Sequence, residues 1–90
     1  MKRKKYKMIF AVILVNSDTD SQLKVLESLK NVEGVEETHA LWGVYDFIVK
    51  IKAASLDKLR EILSLNIRRL AGVTSLLTLM IVDEPTALPF

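Results

Sequence analysis

The chain has no cysteine, three glycines, two prolines and one histidine in 90 residues. Without cysteine there is no disulfide framework, no thiolate metal site and no cysteine nucleophile. No Walker, dinucleotide-binding or G-x-S-x-G pattern occurs, and the three glycines are accounted for by two helix ends and one turn. His39 has Glu37 two residues before it on the same strand face, which supplies two candidate ligands and falls short of a metal site. No cofactor, no metal and no enzymatic activity are therefore expected, and His39 reads as an edge-strand histidine.

Long hydrophobic runs are missing as well. "MIFAVILV", Met8 to Val15, is too short to span a bilayer. It follows a basic segment, as a secretory signal would, but "NSDTDS" comes next and no A-x-A cleavage site is present. The run reads as a buried strand, with a cytoplasmic location and no membrane contact expected.

Half of the residues are apolar, which suits one small globular domain. The net charge of +2 is misleading, because Lys2, Arg3, Lys4, Lys5 and Lys7 lie in the first seven residues. The remainder carries eight basic and eleven acidic residues, a net −3 that is unsuited to gripping nucleic acid. Residues 1–7 are expected to be a basic disordered tail, 8–83 the folded domain and 84–90 a C-terminal tail.

The chain repeats itself at a spacing of 38 residues: "LKNVEGV" (Leu29 to Val35) returns as "IRRLAGV" (Ile67 to Val73). In each copy apolar residues at helical spacing end in a glycine, which closes a helix in the left-handed conformation, and a valine then opens a strand. Ahead of these come a strand over Lys7 to Asn16, with Thr19 and Gln22 spaced as a capping box, and a strand over Tyr45 to Lys52, with Ser55 as the next helix cap. The second helix carries Leu56, Leu59, Leu63, Ile67 and Leu70 on one stripe. The order β-α-β-β-α-β predicts an α+β ferredoxin-like plait, a four-stranded antiparallel sheet with both helices on one face.

The first strand is apolar on both sides, with Met8, Phe10, Val12 and Leu14 on one and Ile9, Ala11, Ile13 and Val15 on the other. The last strand behaves alike, and two helices cover only one face. A second copy packed on the other face, related by a two-fold axis, is the expected remedy. Alternation also puts Thr74 and Thr78 with Leu76 and Met80, on the face expected to meet that copy. Their hydroxyls either bond a neighbouring strand or hold a ligand's polar end.

The segment "LWGVYD" joins the second and third strands in chain order. Gly43-Val44 fits a two-residue type II′ turn, with glycine at its first central position. The turn does not explain Trp42, an indole near a hairpin tip that marks a contact surface. Nor does it explain Tyr45, or Asp46 at a strand start where aspartate is disfavoured.

The β-α-β-β-α-β order, "VEGVEETHALWGVYDFIVKI" with its G-x-Y-D turn, and "LAGVTSLLTLMIV" together resemble the effector-binding, or RAM, domain of the Lrp/AsnC regulators over about Ile9 to Val82. The resemblance implies a homodimer formed through the sheets that assembles further into octamers or decamers. It also implies a small effector, commonly an amino acid, bound between dimers. Carried over by position, Gly43, Tyr45 and Asp46 would line that pocket, with Asp46 suited to an α-ammonium. Thr78, with Thr74 and Ser75, matches the hydroxyl-bearing strand. Nothing before Ile9 resembles a helix-turn-helix, so a stand-alone domain without direct DNA binding is expected, either sensing a metabolite or joining full-length Lrp/AsnC regulators. In the C-terminal tail, Pro85 and Pro89 are expected to prevent a further strand and leave Leu88 and Phe90 to dock on a neighbour.

Two other readings compete. A small dimeric α+β barrel enzyme would use His39 as proton carrier, helped by Asp46 or Glu37, and would need an enclosed cavity around the ring. An RNA-binding plait would need exposed aromatics within an RNP-type motif, and that motif is missing.

Overall fold

The computed structural model describes residues 8–81. The tails expected over 1–7 and 84–90, and the docking role of Leu88 and Phe90, lie outside the described residues. The elements are β1 (Ile9–Ser17), a 3₁₀ turn (Thr19–Ser21), α1 (Gln22–Lys30), β2 (Val35–Ala40), β3 (Phe47–Ala53), α2 (Leu56–Glu61) continuing as a π-helical stretch (Ile62–Ile67), and β4 (Val73–Met80). The strands lie in the order β2-β3-β1-β4, all antiparallel. This is the expected ferredoxin-like plait.

The two halves repeat in geometry as they do in sequence. Gly34 and Gly72, 38 apart, both have φ +95°, the left-handed conformation that ends each helical segment. Each glycine also lies against the helix of the other unit: a Cβ on Gly34 would stand 2.8 Å from Ile62 Cδ1, and one on Gly72 2.7 Å from Ser21 Cβ. Directly after them, Val35 pairs with Ile51 while Glu37 pairs with Lys50, and Val73 pairs with Ser17 while Ser75 pairs with Asn16. Glu36 and Thr74, again 38 apart, are thus the extra residues of two matching β-bulges.

The core is one layer between the helices and one sheet face. Ala11, Ile13 and Val15 from β1 and Phe47, Val49, Ile51 and Ala53 from β3 meet Val25 and Leu29 of α1 and Leu59, Ile62 and Ile67 of the second helix. The predicted stripe on that second helix is only partly right. Ile62 is fully buried, Leu63 and Leu70 pack at the margin, and Leu56 is exposed. Its turns widen past Glu61, with Arg68 N donating to Leu63 O five residues back, so the buried face runs 59, 62, 67 and leaves the regular α period.

The other sheet face is uncovered by any described element. Cross-strand partners share a face, so Leu14 opposite Leu77 and Val12 opposite Leu79 form an apolar patch with Phe10 and Ile48. Leu77 and Leu79 are 43% and 48% exposed. Toward β2 the same face turns polar, with Glu37 opposite Lys50, and His39 opposite Ile48.

Candidate functional site

Six residues, Leu41 to Asp46, connect β2 and β3, and they do not form the predicted type II′ turn. That turn requires positive φ at its first central residue, and Gly43 does not have it. Instead Leu41 N donates to Asp46 O at 2.8 Å, closing a wider loop. At its tip Trp42 is fully exposed, Val44 nearly so, and a Cβ on Gly43 would meet nothing within 4 Å. Tyr45 and Asp46 are half-buried at its base.

Asp46 lies one residue before β3, and its local geometry explains why aspartate stands there. Its backbone N donates to Val15 O at 2.9 Å. Its carboxylate accepts from Ser17 N at 2.8 Å and from the Gln22 side-chain amide at 3.2 Å. A carboxylate offers about four acceptor positions, so two remain for a ligand. Gln22 was expected to cap its own helix with Thr19, yet neither Asp18 nor Ser21, the residues at the two helix entries, makes a side-chain cap. The amide reaches the loop instead. No sequence signal marks this, because the partner lies 24 residues away and arrives only through the fold.

The structure brings some of the expected site residues together and separates others. Ser75 sits opposite Asn16, whose amide donates to the Ser75 hydroxyl at 3.3 Å, so Ser75 and Asp46 flank the same end of β1. The Ser17 hydroxyl at this end is buried and has no hydrogen-bond partner among the described residues. Thr74 is the exposed bulge residue beside it. Thr78 lies three residues further along β4, about 10 Å away at ordinary strand rise. It pairs with Ile13, so Leu76, Thr78 and Met80 share the helix side of the sheet and not the uncovered face expected for them. β4 is an edge strand, and Thr78 and Met80 are exposed on that side too.

His39 sits in the open. Its side chain is 62% exposed, with Nε2 3.1 Å from Glu37 Oε1. Among the described residues no enclosing cavity of the kind the enzyme reading requires surrounds it. The hydrogen bond from His39, and next the positive charge of Lys50, hold the Glu37 carboxyl below the ordinary glutamate value of 4.5. Among the described residues no three His, Asp or Glu side chains group as a metal site, and no helix is long and apolar enough to cross a membrane.

The family model of the Lrp/AsnC ligand binding domain matches residues 8–87. The chain belongs to this family. It is 30% identical over 73 residues to an uncharacterized HTH-type transcriptional regulator of Pyrococcus furiosus, covering 78% of this chain and 49% of the regulator. It is 25% identical over 77 residues to the leucine-responsive regulatory protein of Haemophilus influenzae, covering 86% of this chain and 46% of that protein. The Lrp/AsnC-type domain thus spans about half the length of these relatives. Among solved structures, FFRP-DM1 superposes with a TM-score of 0.79 at 26% identity, covering 82% of this chain and 99% of that one.

Proposed function

We propose that this Lrp/AsnC-type domain is a non-enzymatic ligand-binding and oligomerisation module. One observation carries the reading: the sheet face bearing Phe10, Val12, Leu14, Ile48, Leu77 and Leu79 is left uncovered by the described helices. Fully covering a large aliphatic side chain is worth about 1.5 to 3 kcal/mol. Here Leu77 and Leu79 are about half open and Phe10, Val12, Leu14 and Ile48 partly so, which amounts to a few kcal/mol, a sizeable share of the stability of a small domain. A second copy laid on this face by a two-fold axis removes that penalty, and dimers of this kind associate further into an octamer or decamer.

The effector is a small metabolite of the amino-acid class, seated where the Leu41–Asp46 loop and the start of β4 meet the end of β1. Gly43, Tyr45, Asp46, Thr74 and Ser75 form its surroundings, Trp42 covers it from a neighbouring dimer, and Thr78 takes part from further along β4. The free acceptor positions of Asp46 suit an ammonium group, and the name of the leucine-responsive relative supports an amino acid. The domain acts in the cytoplasm on transcription by sensing this effector and by co-assembling with full-length regulators of its family, without gripping DNA through its own net-negative body.

The test is the native mass of the full chain in solution, with and without each of the twenty amino acids, alongside thermal shift. A well-folded particle of 10.2 kDa at micromolar concentration refutes the assembly. An assembled chain whose melting temperature and mass answer to none of the twenty refutes the amino-acid effector.

A further inference from the structure

The Leu41–Asp46 loop is fastened to the rest of the fold through one residue. Asp46 holds Leu41 with its carbonyl, Val15 with its amide, and the Ser17 amide and Gln22 side chain with its carboxylate. Between these anchors Trp42, Gly43 and Val44 stand in the open. At the other end of the contact, the entry into α1 has no side-chain cap of its own. Gln22 is exposed, and its amide has no other hydrogen bond among the described residues.

We propose that Gln22 is a positioning residue for this loop, and that the Gln22–Asp46 bond is a latch joining the loop to the first turn of α1. Loop and helix entry then move together. A ligand bringing an ammonium to a free acceptor position of Asp46 shares that carboxylate with the Gln22 amide. Occupation of the loop is thereby felt at α1 through the same carboxylate. This relay rests on the loop being the effector's site, whereas the latch itself does not.

The latch is tested on the full chain without any ligand. Trp42 is the only tryptophan, so its fluorescence anisotropy reports the loop, and exchange of the Ser17 amide reports the corner. In Gln22→Ala, Ser17 exchange is expected to rise about three- to tenfold, the worth of one modest hydrogen bond, with a fall in Trp42 anisotropy. Gln22→Glu, which sets two carboxylates together, should loosen both further, and Gln22→Arg, a charged donor with longer reach, should restore both. The melting temperature should stay within a few degrees throughout. Wild-type signals in both Gln22→Ala and Gln22→Glu would overturn the latch. So would equal loosening in Gln22→Arg, which would point to the helix entry alone. Because no effector is added, a chain that binds no amino acid leaves this outcome untouched.

Discussion

Replacing Leu79 with lysine should dissolve the proposed dimer while leaving the fold intact. Leu79 lies opposite Val12 on the uncovered sheet face and is 48% exposed, so about half of its side chain awaits a cover. Half of a full leucine burial is about 0.7 to 1.5 kcal/mol, and a two-fold interface counts the residue twice. Leu79→Ala should therefore weaken association by roughly 1.5 to 3 kcal/mol, about ten- to a hundredfold in Kd. Leu79→Lys adds an unpaired charge that must be buried on each side, a cost of several kcal/mol more, and should leave monomer across the micromolar range. Leu65→Lys is the matched control: Leu65 is 50% exposed, but it lies in the π-helical stretch on the helix layer, away from the bare face. Sedimentation velocity with circular dichroism reads both mass and fold. The reasoning fails if Leu79→Lys keeps the parent's mass, or if Leu65→Lys dissociates just as readily.

Three further outcomes follow from the same geometry. Gly72→Ala forces alanine to φ +95° and puts its Cβ 2.7 Å from Ser21 Cβ and 2.9 Å from Val25 Cγ2, so a loss of about 2 to 4 kcal/mol is expected in denaturant melts; Gly43→Ala, in open space, should change stability by less than about 0.5 kcal/mol. Ser55→Ala removes the hydroxyl that accepts from Lys58 N at 3.1 Å and should cost about 1 kcal/mol by the same assay. The Glu37 carboxyl, held low first by His39 and then by Lys50, contributes stability that is present above pH 4.5 and is lost as pH falls through its lowered value. His39→Ala should move the Glu37 midpoint, followed by NMR, up toward 4.5, and no movement would remove His39 as the main cause.

The parts of the fold that local chemistry dictates could be read in advance. The glycines at 34 and 72 needed only a helix period ending and a strand beginning, and the two apolar faces of β1 needed only alternation. Two of the misreadings share one cause, a partner distant in sequence. Gly43 suits a tight turn by residue type, but the loop is shaped by Asp46 reaching Ser17 and Gln22, which no window around Gly43 contains. Parity within its own strand groups Thr78 with Leu76 and Met80 but does not say which face they take. Which face that is depends on the pairing of Thr78 with Ile13, 65 positions earlier, and on a bulge that shifts register at Thr74. The burial pattern of the second helix departs from the α period because its turns widen after Glu61, a change that its apolar spacing alone did not reveal.

The place where the repeat breaks its own symmetry bears on where the site lies. Ser17 and Ser55 are 38 apart and stand at matching corners, Ser17 as the last residue of β1 and Ser55 between β3 and α2. Ser55 serves its own helix, its hydroxyl accepting from Lys58 N. Ser17 does not: its amide goes to Asp46, its hydroxyl is buried without a partner among the described residues, and the helix entry after it has no side-chain cap. Had the Leu41–Asp46 loop been only a connection, the first corner could have closed on itself as the second does, because it has the same serine. Its Ser17 amide is committed to the loop at some cost in local self-sufficiency, as expected where an element must answer to something outside the chain. The Ser17 corner should accordingly exchange its amides faster than the Ser55 corner in the unliganded chain. A ligand at the loop should slow exchange at the first corner and leave the second unchanged.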